Sequence, residues 1–155
     1  MQMLCFEWDE EKARAEVAEA VASGKAFETM KKWIAAQGGN AAALEDFSLL
    51  PQASVHYELK APRSGYLAHM DAQKIGEASA ILGAGRQKKE DSIDYAAGIV
   101  LRKKTGDRVE AGETLAELWT NQEKSIADSE AEFLSALVWG EEAPQHQPLV
   151  LGVIR

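Results

Sequence analysis

Six charged side chains and two glycines between Gly83 and Asp94 concentrate the polar chemistry of this sequence. They run Gly83-Ala84-Gly85-Arg86, then Lys88, Lys89, Glu90, Asp91 and Asp94. Glycines on either side of Ala84 allow positive φ at two points without a Cβ penalty. The planar fork of Arg86 matches phosphate geometry, so the segment can approach an anion. It can equally be a helix stop followed by a basic, solvated loop. Asp91 and Asp94 stand three apart, a spacing open to acid–base pairing and equally to turn and capping roles. The glycine pair lacks Gly-x-Gly-x-x-Gly spacing and follows a helical pattern, where a dinucleotide fingerprint follows a strand. It also lacks the lysine and hydroxyl residue of a P-loop.

Elsewhere the chemistry is sparse. His56, His69 and His146 are far apart and have no paired cysteines, so metal-ligand spacing is missing and no metal is expected. Cys5 has no recognisable histidine partner. No Gly-x-Ser-x-Gly element is present.

The elements that must position these residues follow from hydrophobic period. Asp9 predicts the N-cap of a helix to about Ala22, with Glu10 and Glu11 in its first turn and a stripe of Ala13, Val17, Ala20 and Val21. A second helix is predicted from Lys25 to Gln37. Phe27, Met30 and Ile34 lie on one face, Ala26 and Trp33 widen it, and Gly38-Gly39 stops it. Both stripes are expected to be core. Near Pro51 the period changes from helical to alternating, which places the boundary there. Val55–Lys60 and Gly65–Met70 read as strands. Asp71 caps a helix carrying Ile75, Ala78 and Leu82 on one face. Ile93–Ala97, Gly98–Leu101, Thr114–Thr120 and Leu149–Ile154 read as extended, and Pro144 and Pro148 frame the link to the last of these. Lys104–Asp107 and Glu110–Glu113 read as turns. Asn121 to about Trp139 reads as a helix stopped by Gly140. Strands with one inserted and one late helix make the class α+β.

The 155 residues carry a net charge of −8, and the pI is near 4.9. An acidic surface disfavours nucleic acid and anionic membrane as partners. A single cysteine forms no intramolecular disulfide, which suits a reducing cytoplasm. No apolar run nears the roughly 20 residues that span a bilayer. The Met1–Asp9 stretch has no basic segment before its apolar residues, so a signal peptide is not expected.

Several stretches occur together in order. They are Gly65-Tyr66-Leu67, Asp71-Ala72-Gln73-Lys74-Ile75-Gly76, Leu82-Gly83-Ala84-Gly85-Arg86, Asp91-Ser92-Ile93-Asp94, Gly98-Ile99 and Lys104-Thr105-Gly106-Asp107-Arg108-Val109. In this order they resemble the C-terminal domain of pyrimidine-nucleoside phosphorylases, the family that includes thymidine phosphorylase. Ser23-Gly24-Lys25-Ala26, Met30 and Ala36-Gln37-Gly38-Gly39-Asn40 resemble the helices before that domain.

The resemblance implies an α/β-hammerhead, barrel-sandwich-like domain over 52–155, preceded over 1–51 by a helical hairpin, the trailing helices of an α/β transferase domain. It implies phosphorolysis, with phosphate as co-substrate and no cofactor in this chain. It implies the remainder of the phosphorylase as partner, and nucleoside and phosphate only in the whole enzyme. No stretch here matches the family's phosphate-binding, base-binding or metal-holding segments, so no catalytic residue is carried over. Gly83, Gly85, Arg86, Lys88, Asp91 and Asp94 are the candidate cleft-facing loop. The rival reading is a free-standing, non-catalytic interaction module with the same fold. Gly106–Leu118 and Ala61–Tyr66 also resemble biotinyl and lipoyl carrier domains. The Met-Lys-Met signature is absent, and Lys74, Lys88, Lys89, Lys103 and Lys104 lack carrier-like hairpin context, so shared strand architecture without the prosthetic group is expected.

Overall fold

The computed structural model describes residues 9–86, 88–145 and 152. Cys5, His146, Pro148 and the expected strand Leu149–Ile154, Gly152 apart, lie outside the described residues. The chain divides into two compact units between Leu50 and Pro51.

In the first unit, α1 (Glu10–Ala22) starts where the Asp9 carboxylate accepts the Lys12 N–H at 2.8 Å. The chain reverses through Ser23 and Gly24, whose φ of 76° is left-handed, and enters α2 (Lys25–Ala36). Two 3-10 turns follow, Ala41–Leu44 and Phe47–Leu49, each opened by an Asn or Asp side chain that accepts a backbone N–H. The expected burial of the helical stripes is found at Ala13 but not along the rest of either stripe. Val17, Val21, Phe27 and Met30 are exposed, and Trp33 is 62% exposed. Ala13 and Ala43 are the buried apolar residues of this unit among those described. The physical reason is that two helices and two short turns make one layer, and a layer buries a face only against another.

The second unit is α+β, with two three-stranded antiparallel sheets. One has the order β1 (Val55–Lys60), β5 (Thr114–Thr120), β3 (Gly98–Leu101). The other has the order β4 (Arg108–Val109), β2 (Gly65–Met70), β6 (Leu137–Gly140). Two helices join them: α3 (Ala72–Ser79), continued by a π-helical turn over Ala80–Ala84, and α4 (Ile126–Ser135). Strand alternation places Leu59, Leu67 and Leu118 inward. Helical spacing adds Ala78, Leu82 and Phe133, and all six are fully buried in one core. Buried Ser129 donates its hydroxyl to the Ala78 carbonyl at 2.8 Å, tying α4 to α3. The Tyr57 hydroxyl donates to Glu130 at 2.9 Å, tying β1 to α4.

Three expectations are corrected. Ile93–Ala97 is a turn, because the Asp94 carboxylate accepts the Ala96 N–H and curls the chain. The helix expected over 121–139 is a 3-10 turn (Glu123–Ser125) and α4, after which the chain becomes β6. Leu137 and Trp139 pair with Met70 and Leu67 of β2, so Gly140 ends a strand and not a helix. The helix expected to reach Leu82 is α-helical only to Ser79, and its final turn widens to π geometry.

Candidate functional site

The stretch from Gly83 to Asp94 begins where α3 can go no further. Asp71 caps that helix by accepting the Gln73 and Lys74 N–H groups at 2.9 and 3.3 Å. Ala78 and Leu82 anchor its inner face at zero exposure. Within that last turn Gly83 takes a non-helical φ of 109°, and Gly85, just past it, takes φ −141°, which is extended. Positive φ is therefore used at one of the two glycines.

Both feet of the segment are fixed by strand β5 and the residues that follow it. Thr120, fully buried, donates its hydroxyl to the Leu82 carbonyl at 2.8 Å and accepts the Gln122 N–H at 2.9 Å. The Asp94 N–H donates to the Gly83 carbonyl at 2.9 Å, closing the loop on itself. One Asp94 oxygen accepts the Ala96 N–H, and the other accepts the Asn121 side-chain amide, each at 2.9 Å. The Asn121 side-chain oxygen in turn accepts the Ser54 N–H at 2.8 Å, just before β1. Between these feet, Lys88 and Asp91 form a turn: the Asp91 carboxylate accepts the Lys88 N–H at 2.8 Å, and the Asp91 N–H donates to the Lys88 carbonyl at 3.1 Å. Arg86, Lys88 and Lys89 are exposed.

Gly83 and Asp94 are thus brought together at the base. Gly85, Arg86, Lys88 and Asp91 follow outside it. The two aspartates serve as turn and crosslink groups in this geometry. Thr120, Asn121 and Gln122, whose hydrogen bonds anchor the segment, are residues that sequence reasoning missed. Their available signal was three consecutive hydrogen-bonding side chains at the end of a buried strand.

The Ala96 N–H foremost, and then Asn121, hold the Asp94 carboxyl below the ordinary carboxylate range, while partial desolvation opposes them. A depressed folded-state pKa gives stability that is present above the unfolded value and is lost as pH falls through the folded one. The melting midpoint is therefore expected to fall on acidification below the usual carboxylate range. Asp94→Asn should remove part of that fall, as read by thermal melts at a series of acidic pH values.

The remaining candidates fall elsewhere. His56 stacks on Trp119 with ring centroids 4.1 Å apart, and its Nε2 lies 3.3 Å from Glu117, which also pairs with Arg102 at 2.6 Å. His69 is exposed on β2. Among the described residues no three metal-ligating side chains cluster. A surface pocket of about 460 Å³ lies at the end of the second sheet, lined by Arg63, Ser64, Tyr66, Arg108 and Glu141 among others. There the Arg63 guanidinium sits 5.8 Å from the Trp139 ring centroid, and Arg108 pairs with Glu110. Among the described residues no helix is long and apolar enough to cross a membrane.

Comparison with known proteins finds a family match over the motifs from Tyr66 onward. Residues 66–138 match the family of the pyrimidine nucleoside phosphorylase C-terminal domain. Pyrimidine-nucleoside phosphorylase of Geobacillus stearothermophilus is 46% identical over 114 residues, which are 74% of this chain and 26% of that protein. The Bacillus subtilis protein of that name is 45% identical over 113 residues, 73% of this chain and 26% of its own length. The one from Staphylococcus aureus strain USA300 is 48% identical over 113 residues, with the same two shares. The chain spans about a quarter of the length of these relatives.

Proposed function

We infer, from a chain that carries over residues 66–138 the C-terminal domain of the pyrimidine-nucleoside phosphorylase family, that it works as the C-terminal portion of such an enzyme. The observation that carries this reading is the 45–48% identity to enzymes of that name across nearly three quarters of the chain. In the reaction, phosphate attacks the anomeric carbon of a pyrimidine nucleoside, the base leaves, and a pentose 1-phosphate forms. Such a step needs cations and hydrogen-bond donors placed around the phosphate and the departing base. The helical and α/β parts of the enzyme supply those groups, and phosphate is a co-substrate. This chain contributes the hammerhead domain over 52–155, with the segment from Gly83 to Asp94 toward the cleft. Residues 1–51 are the trailing helices of the α/β domain. The exposed stripe of Phe27, Met30 and Trp33 supports that assignment, because helices of a larger layered domain carry an apolar face for the neighbouring layer. A cytoplasmic setting fits a chain with one cysteine.

The purified chain is expected to show no phosphorolysis of thymidine or uridine with phosphate. Co-expressed with the Geobacillus stearothermophilus phosphorylase shortened by its matching C-terminal portion, it should restore turnover to that inactive partner. Spectrophotometric assay of released base decides. Turnover by the chain alone, above a mock purification, would overturn the division of labour. Failure to bind or restore the shortened enzyme would favour the free-standing interaction module.

A further inference from the structure

We propose that Asn121 is the positioning residue of the Gly83–Asp94 segment, a side-chain latch that fixes its far foot to the start of β1. This rests on the reading of that segment as the cleft-facing part, and extends it by naming what holds the segment in place.

The geometry has three parts. Asn121 follows β5 directly, so its backbone is set by the strand that runs between β1 and β3. Its amide can donate on one side and accept on the other. The nitrogen donates to Asp94 at 2.9 Å, and the oxygen accepts the Ser54 N–H at 2.8 Å. One side chain therefore joins three stretches that are remote in sequence: the approach to β1, the end of β5, and the far foot of the segment. The near foot is already held by the core, through buried Leu82 and the Thr120 hydroxyl on its carbonyl. The far foot has no large buried side chain of its own: Asp94 is half-buried and Tyr95 is 83% exposed. Besides the backbone bond from Asp94 N–H to Gly83, this foot reaches another element through Asn121, whose side-chain amide and, to a lesser extent, backbone N–H act on the Asp94 carboxylate. Asn121 thus sets where the segment lies without contributing to the core beneath it.

The donor and acceptor pattern admits a specific test. In Asn121→Asp, a carboxylate faces the Asp94 carboxylate; the donor is gone and like charges oppose. Exchanging the pair, Asp94→Asn with Asn121→Asp, restores the side-chain bonds. The amide now at position 94 donates to the carboxylate at position 121, and its oxygen accepts the Ala96 N–H. The carboxylate at position 121 accepts the Ser54 N–H as well. Cleavage by trypsin after Arg86, Lys88 and Lys89 reads the order of the segment in the full chain, with no substrate or partner present. A failed latch and a failed cleft assignment are thereby separable.

Asn121→Asp should speed cleavage at these sites at least tenfold, and the exchanged pair should return it to within about twofold of the parent. That rescue is something a merely structural loss at position 121 would not produce. Unchanged cleavage in Asn121→Asp overturns the proposal. So does accelerated cleavage that the exchange leaves in place. If Asn121→Asp fails to fold, a folded exchanged pair with parental cleavage supports the latch, and an unfolded one overturns it.

Discussion

Phe133→Ala is expected to lower the stability of the second unit by about 3–5 kcal/mol. Phe133 is fully buried on α4 and belongs to the core with Leu59, Leu67, Leu82 and Leu118. The loss has two parts, the transfer free energy of the ring and the cavity left where neighbours cannot close in. The other members of that core come from both sheets and from α3, elements joined by strand pairing and by the Ser129 bond to Ala78. Collapse around the missing ring is correspondingly restricted. Small domains are stable by only about 5–15 kcal/mol, so the substitution removes a large fraction. Urea melts followed by far-UV circular dichroism measure it. Trp33→Ala on the exposed stripe is the control and should stay within about 0.5 kcal/mol. A loss below about 1 kcal/mol for Phe133→Ala would mean that α4 does not close this core.

How far the sequence foretold the structure depends on whether local or distant residues decide each element. Asp9 and Asp71 cap helices as read, because a cap is a bond between residues two or three apart. The β1 alternation holds because inward and outward positions are set within the strand itself. Leu137 shows the opposite. Its spacing from Phe133 is helical, yet Ala136 ends α4 and Leu137 pairs with Met70, 67 positions earlier in the chain. Pairing of that kind overrides propensity and leaves no local trace. Ile93–Ala97 misled in another way, since one Asp side chain turns a stretch whose apolar residues suggested a strand. The helical stripes of the first unit were legible as stripes, but pattern records which face is apolar and not what covers it. In the candidate site, the glycines and charges were legible as a loop. The Thr120–Asn121 anchorage was not, because it joins residues 27 and 38 positions apart.

Gly83→Ala is expected to cost about 2 kcal/mol, the upper part of the usual penalty for an L-residue with left-handed backbone. Gly83 has φ 109° and is buried. A Cβ added there would meet Gln122 Nε2 at 3.3 Å, Asp94 Cβ at 3.4 Å and Ala97 Cβ at 3.7 Å. The Gln122 side-chain end can swing aside. Asp94 has less freedom, because its carboxylate is held by Ala96 and Asn121 and its N–H by Gly83 itself. Gly85 differs in kind. Its φ of −141° suits any residue, and an added Cβ would stand 3.0 Å from Ala80 Cβ on the π turn. Gly85→Ala is therefore a packing problem without a backbone one, and should cost about 1 kcal/mol, the low end of overpacking. Were the segment a loose linker, both substitutions would be neutral or slightly stabilising, because alanine restricts the unfolded chain more than glycine does. Urea midpoints of the two variants separate these cases. An unchanged or raised midpoint for Gly83→Ala, or a larger loss at Gly85 than at Gly83, would show that the left-handed residue is not what turns the chain out of α3.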